Sequence, residues 1–196
     1  CVFNIYNYII IMNIFYFTHN IVLNSKLLDD KRLVKMILET TQLLSNALYC
    51  NGEKSPYKPT HLKHPCTIWA SKSSGNWNWL RDYGLALAKE YTNRYNKIHK
   101  CEDIIRSMKY SQISDNKFYE PTQCMPNQYK CTKSTKAYIK YYIGEKFNPA
   151  YFKHCDKRVF DFWNRLYRQT KFNIYSKHKN KYFAIIKKIE ISDKLF

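Results

Sequence analysis

Acidic residues are scarce in this 196-residue chain, 15 against 33 lysines and arginines, and glycine occurs only four times. No Gly-rich turn of the phosphate-cradling type is present, and neither an internal repeat nor a heptad array is visible. A nucleotide loop of that kind, a solenoid and a coiled coil are therefore excluded. CxxC is absent. The seven cysteines, Cys1, Cys50, Cys66, Cys101, Cys124, Cys131 and Cys155, are odd in number and irregular in spacing. That pattern argues against a zinc ribbon or a secreted disulfide framework and predicts reduced thiols inside a cell, in cytoplasm or nucleus. Long apolar runs are missing too. The start, CVFNIYNYIIIMNIFYF, is broken by Asn4, Asn7 and Asn13, whereas a bilayer span needs about 20 mostly apolar residues. It also lacks the basic leader of a signal peptide.

What is present is enough apolar side chain to fold. Hydrophobic residues make up 45% and charged residues 24% of the chain, so burial offsets chain entropy over a length suited to one domain. The expected fold class is mainly α, a single-domain helical bundle with a short N-terminal extended segment. Residues 1–11 read as a non-native leader translated ahead of a start at Met12, 12–170 as the helical domain, and 171–196 as a basic C-terminal tail. The net charge of +18 attracts polyanions by counterion release, which makes nucleic acid the leading partner of a monomer with no membrane role.

Periodicity sets out the helices. Asp29 or Asp30 caps one that runs to about Tyr49, with Asn51-Gly52 as its stop. Leu33, Ile37, Leu44 and Leu48 form its apolar face, widened by Val34, Leu38, Met36 and Leu43. Arg32, Lys35, Glu39, Gln42 and Asn46 then project as one polar line. A Pro-rich loop, EKSPYKPTHLKHP, follows. A second long helix begins near Ser73 or Ser74 and continues to about Lys97, with Leu80, Tyr83, Leu87, Tyr91 and Ile98 in register and Glu90 and Arg94 paired at i, i+4. Shorter helices are expected over Cys101–Met108, Lys130–Tyr142 with a stop at Gly144, and Asp156–Arg168. Trp69 and Trp79 belong to the core, and Trp77 is open between core and base stacking.

The order of landmarks resembles that of the phage pyrimidine-dimer DNA glycosylases of the endonuclease V type. An MNIFYF segment is followed by a helix that opens Asp-x-Arg-Leu, here Asp30, Arg32 and Leu33, and carries a glutamate two turns later, Glu39. The stretch HPCTIWASKSSGNWNWLRDYGLALAKEYTNRYNK, residues 64–97, is similar to the family's later His, apolar run and long glutamate-bearing helix. The resemblance implies excision of damaged pyrimidines from double-stranded DNA, with associated strand nicking and without metal or organic cofactor. It implies an α-amino nucleophile, carried by Met12 or Asn13, that forms an imine with the sugar while Glu39 stabilises cationic sugar and moves protons. Such an amine has a pKa near 8, about two units below lysine, so part of it is neutral at physiological pH. Family arginines next to the glutamate are replaced by Leu38 and Gln42.

For DNA contacts the expected residues are Arg32, Lys35, Gln42, Lys58, His61, Lys63, His64, Lys136 and Lys140. Lys35 and Arg32 are expected to favour ionised Glu39. One loop histidine contacts phosphate or orients Glu39, and Cys66 is a small buried hydrophobe. A metal site at His61, His64 and Cys66, completed by Cys101, His99 or Cys155, fits no zinc-finger spacing and is not expected. The competing readings are a non-catalytic basic nucleic-acid-binding protein of viral type and a metal-dependent nuclease centred on His61 and His64.

Overall fold

The computed structural model describes residues 12–110 and 115–175. Seven α-helices stand among the described residues, with no strand: α1 Ile21–Lys26, α2 Asp30–Cys50, α3 Pro65–Ser71, α4 Ser74–Tyr95, α5 Cys101–Ser107, α6 Ser134–Tyr141 and α7 Lys157–Tyr175. The mainly α, single-domain class is as expected. The leader at 1–11 and residues 176–196 of the tail lie outside the described residues, and α7 runs past position 170 to Tyr175.

Helix α2 packs most extensively against α4, and α1, α3 and α5 pack around that pair. The two long helices begin where their sequences provide caps: Asp29 accepts from the Arg32 amide, and Ser73 accepts from the Asn76 amide. Helix α4 stops at Asn96, which takes the left-handed conformation at φ 50°. Gly84 lets the pair approach, since a Cβ there would lie 2.9 Å from Thr40 Cγ2 and 3.1 Å from Ile105 Cδ1. The expected Glu90–Arg94 pair exists at 2.7 Å. Arg94 goes further: its guanidinium also reaches Asp30 at 3.1 Å and the carbonyls of Leu28 and Lys26 at 2.9 Å each. One buried cation thus joins the end of α1 and the start of α2 to α4.

Residues 12–17 are buried without forming helix or strand. Their backbone groups are paired instead by two asparagine side chains. Asn13 Oδ1 accepts from the Ile14 and Phe15 amides at 2.8 and 3.1 Å. Asn24 Oδ1 accepts from Phe17 at 2.7 Å, while its Nδ2 donates to the Phe15 carbonyl at 3.0 Å. Phe15, at φ 50°, stacks on Tyr141 with ring centroids 6.2 Å apart.

Several local expectations are corrected. Helices α1 and α3 lie where the sequence reading predicts no element, because six and seven residues are too few to show a period. Val34 and Leu38, placed by periodicity on the apolar face of α2, are 39% and 43% exposed, and Ile98 lies beyond the end of α4 at 73%. Gly144 does not stop α6. It sits inside a π-helical turn, Tyr142–Lys146, where a Cβ would lie 2.7 Å from the Tyr129 ring. Trp69 and Trp79 are core, and Trp77 joins them: it is 1% exposed, stacks on Tyr110 at 5.0 Å and donates to the Leu44 carbonyl at 3.3 Å.

Candidate active site

The polar line predicted on α2 does not face solvent as a unit. Glu39 is 3% exposed and Asn46 2%. Asn46 pins the loop after α2, donating to the Thr60 carbonyl at 2.6 Å and accepting from the Thr60 amide at 3.2 Å. Glu39 turns toward the N-terminal segment. Its Oε2 accepts from the main-chain nitrogen of Asn13 at 3.0 Å. Its Oε1 lies 3.1 Å from Lys35 Nζ, an ion-pair distance without hydrogen-bond alignment, so this buried oxygen keeps no donor.

Burial sets the direction in which the Glu39 pKa moves. Desolvation pushes its carboxyl above the ordinary range, and the Asn13 amide and Lys35 offset this only in part. Lys35 favours the ionised form as expected, Arg32 is not among the influences on it, and burial outweighs the lysine. Lys35 is itself 56% exposed in its side chain, so water weakens its pull. A carboxyl poised higher than usual donates a proton more readily near neutral pH, and once ionised it stabilises adjacent positive charge.

A cavity of about 250 Å³ opens beside Asn13, bordered by Phe15, Lys31, Arg32, Lys35, Met36, Tyr141 and Lys146. Arg32 is fixed there. Its Nη1 donates to Asp29 Oδ2 at 2.5 Å, and its guanidinium lies 5.5 Å from the Tyr142 ring centroid. Asp29 is fully buried and also receives the Tyr142 hydroxyl at 2.5 Å. Lys31 and Lys146 cover the rings of Tyr151 and Tyr141 at 4.9 and 4.8 Å. The cavity therefore joins Asn13 to a cationic rim, and Glu39 stands behind that wall in contact with two of its lining residues, Asn13 and Lys35. The sequence alone does not single out Lys31, Tyr141 or Lys146. Lys31 is adjacent to a predicted contact, but the other two come from the far end of the chain and carry no local signal. Across Lys35 lies a larger cavity of about 580 Å³ whose walls include Val34, Leu38, Tyr57, Tyr91 and Ile98. That location accounts for the three apolar side chains left exposed.

The remaining expected contacts are dispersed. Gln42 is half-buried on α2. Lys58, His61 and Lys63 are exposed on the loop before α3, and Lys136 and Lys140 are half-buried on α6. None of these six borders the cavity at Asn13. His64 is the cap of α3, its Nδ1 accepting from the Cys66 amide at 3.1 Å, and burial lowers its pKa. The cluster it joins differs from the one that spacing suggests. Cys124, rather than His61, Cys101, His99 or Cys155, completes a group in which the His64, Cys66 and Cys124 donor atoms lie within 4.8 Å of one another. Cys66 Sγ and Cys124 Sγ are 3.2 Å apart. Their contact and burial raise Cys66, whereas the same contact lowers Cys124.

No curated protein and no solved structure matches the chain. Residues 12–103, which contain Asn13, Arg32, Lys35 and Glu39, match the family model described as pyrimidine dimer DNA glycosylase. The likeness to pyrimidine dimer DNA glycosylases thus spans residues 12–103, just under half of the chain.

Proposed function

We propose that this protein excises pyrimidine dimers from duplex DNA by amine attack on deoxyribose, with Glu39 as its proton-handling carboxyl. The observation that carries the reading is the 3.0 Å separation between the residue 13 nitrogen and Glu39 Oε2. When residue 13 is the mature amino terminus, after removal of Met12 and anything before it, that nitrogen is a primary amine rather than an amide. It then attacks C1′ of the damaged nucleotide, the C1′–N1 bond breaks, and the pyrimidine leaves with its electron pair. Loss of an amine proton and opening of the C1′–O4′ bond give an imine, with Glu39 delivering the proton that O4′ takes up. The resulting carboxylate stabilises the cationic iminium. Removal of a C2′ proton then expels the 3′ phosphate by β-elimination and nicks the strand.

The surroundings support this assignment. Lys31, Arg32, Lys35 and Lys146 border the cavity at Asn13 and suit phosphates flanking the sugar. The larger cavity across Lys35 offers tyrosine and aliphatic walls to an extruded base, whose unstacking is cheapest at a lesion. The test is trapping: protein whose mature amino terminus is Asn13 is mixed with ultraviolet-irradiated duplex and borohydride, and the linked peptide is sequenced. A covalent adduct at residue 13 is expected. An adduct on a lysine, or none, sinks the amine assignment. Salt-sensitive binding that ignores lesions and releases no base favours the non-catalytic binder instead.

A further inference from the structure

Cys66 and Cys124 face each other across 58 residues of sequence with their sulfurs 3.2 Å apart, directly behind the Asn13–Glu39 pair. Cys66 Sγ lies 3.8 Å from the Met12 carbonyl oxygen, and Asn13 Nδ2 donates to the Cys124 carbonyl at 2.9 Å. Cys124 thus touches the residue that carries the proposed catalytic nitrogen, and Cys66 touches the residue before it. Cys66 is fully buried, while Cys124 is half-buried on the long irregular connection between α5 and α6.

A zinc site is the first alternative for such a group, but a closed structural site takes four ligands and only His64, Cys66 and Cys124 gather here among the described residues. Two thiolates on one tetrahedral zinc, with bonds of about 2.3 Å, stand about 3.8 Å apart. The observed separation instead lies between that spacing and the roughly 2.05 Å of a disulfide bond.

We propose that Cys66 and Cys124 form a reversible disulfide with a low-molecular-weight disulfide such as glutathione disulfide as oxidant, and that closing this bridge displaces the Asn13 nitrogen from Glu39. In the first step the more accessible Cys124 thiolate attacks one sulfur of glutathione disulfide and expels one glutathione thiolate. The Cys66 thiol then gives its proton to solvent, attacks Cys124 Sγ in the mixed disulfide and expels the second glutathione. Two protein thiols are oxidised and one glutathione disulfide is reduced to two thiols. Because the bridge must shorten the sulfur separation, the Cys124 main chain moves, and the Asn13 amide group bonded to its carbonyl moves with it. An effect on strand excision rests on the function proposed above; the bridge itself does not.

The experiment incubates full-length protein with glutathione disulfide and maps tryptic peptides without reduction. Peptides 64–72 and 118–130 are expected joined, and dithiothreitol is expected to separate them. Cys66→Ser is expected to stop at glutathione on Cys124, and Cys124→Ser to leave Cys66 unmodified. Hydrogen exchange of residues 12–17 is expected to quicken about tenfold in the bridged form of the wild type and to return on reduction. Stable glutathione on Cys124 in the wild type, zinc retained through Cys66 and Cys124, or unchanged exchange in the bridged form would each overturn the proposal. A bridged protein with altered exchange, but no borohydride adduct in either redox state of the form that begins at Asn13, would count against the amine chemistry alone.

Discussion

The main-chain nitrogen of Asn13 and the carboxylate of Glu39 stand 3.0 Å apart although 26 residues separate them, and Glu39 Oε1 is left without a hydrogen-bond donor. Lys35 Nζ, 3.1 Å away, is the ion-pair partner that faces this oxygen. Glu39→Gln keeps the shape and an acceptor for the Asn13 nitrogen but cannot release a proton. Base release is expected to slow by about 10² to 10⁴ with lesion affinity nearly unchanged, as measured by single-turnover excision and by filter binding.

The raised pKa of Glu39 has a stability consequence of definite sign. In the unfolded chain this carboxyl ionises at about pH 4.3. In the folded protein it ionises later, because burial disfavours the charge. Stability contributed by neutral Glu39 is thus intact below the unfolded pKa and is lost as pH rises toward the folded one. Glu39→Gln, which stays neutral, is expected to melt above the wild type at pH 7, and the gap should close by about pH 4. Calorimetry at both pH values reads this directly. A variant that melts lower than wild type at pH 7 would contradict the assignment of burial as the dominant influence.

Phosphate binding predicts a salt signature. Replacing Lys31, Lys35 or Lys146 singly with Met should reduce the slope of log binding constant against log salt by about 0.9 for each phosphate no longer neutralised. Arg32 is different, since Asp29 already compensates its charge. Arg32→Met should therefore also strand the fully buried Asp29 and lower the melting temperature, whereas the three lysine variants should melt close to the wild type.

Close helix packing makes Gly84 sensitive. In Gly84→Ala the new methyl meets Thr40 Cγ2 at 2.9 Å and Ile105 Cδ1 at 3.1 Å. The overpacking cost is expected to outweigh the helix-propensity gain for a net loss of about 1 to 2 kcal/mol in denaturant titration. Adding Thr40→Ser removes the nearest methyl and should restore part of that stability.

Arg94 should be more sensitive still. Its side chain is 3% exposed and serves Asp30, Glu90 and two main-chain carbonyls. Arg94→Met leaves two carboxylates without their cation and should destabilise by about 3 to 5 kcal/mol, read from the same titration.

The long helices, their serine and aspartate caps, the Glu90–Arg94 pair and the choice of Glu39 are all legible in the sequence. Each depends on residues within a turn or two of one another, where the 3.6-residue period and cap chemistry act directly. The helical class follows from the same local signals, and the net charge needs only counting. Length limits such reading: α1 and α3 are too short to show a period, so nothing in their residues separates them from extended chain or loop.

What only the tertiary structure decided is the chemistry of the site. The Asn13 nitrogen meets Glu39, Lys146 and Tyr141 reach the same cavity from the far end of the chain, and Cys124 finds Cys66 across 58 residues. On an isolated helix Glu39 would be a solvated carboxylate paired with Lys35. In the folded protein it is 3% exposed, and desolvation reverses the direction in which its neighbours alone would move it. Burial is the sum of everything packed around a group, and no local stretch of sequence contains that sum.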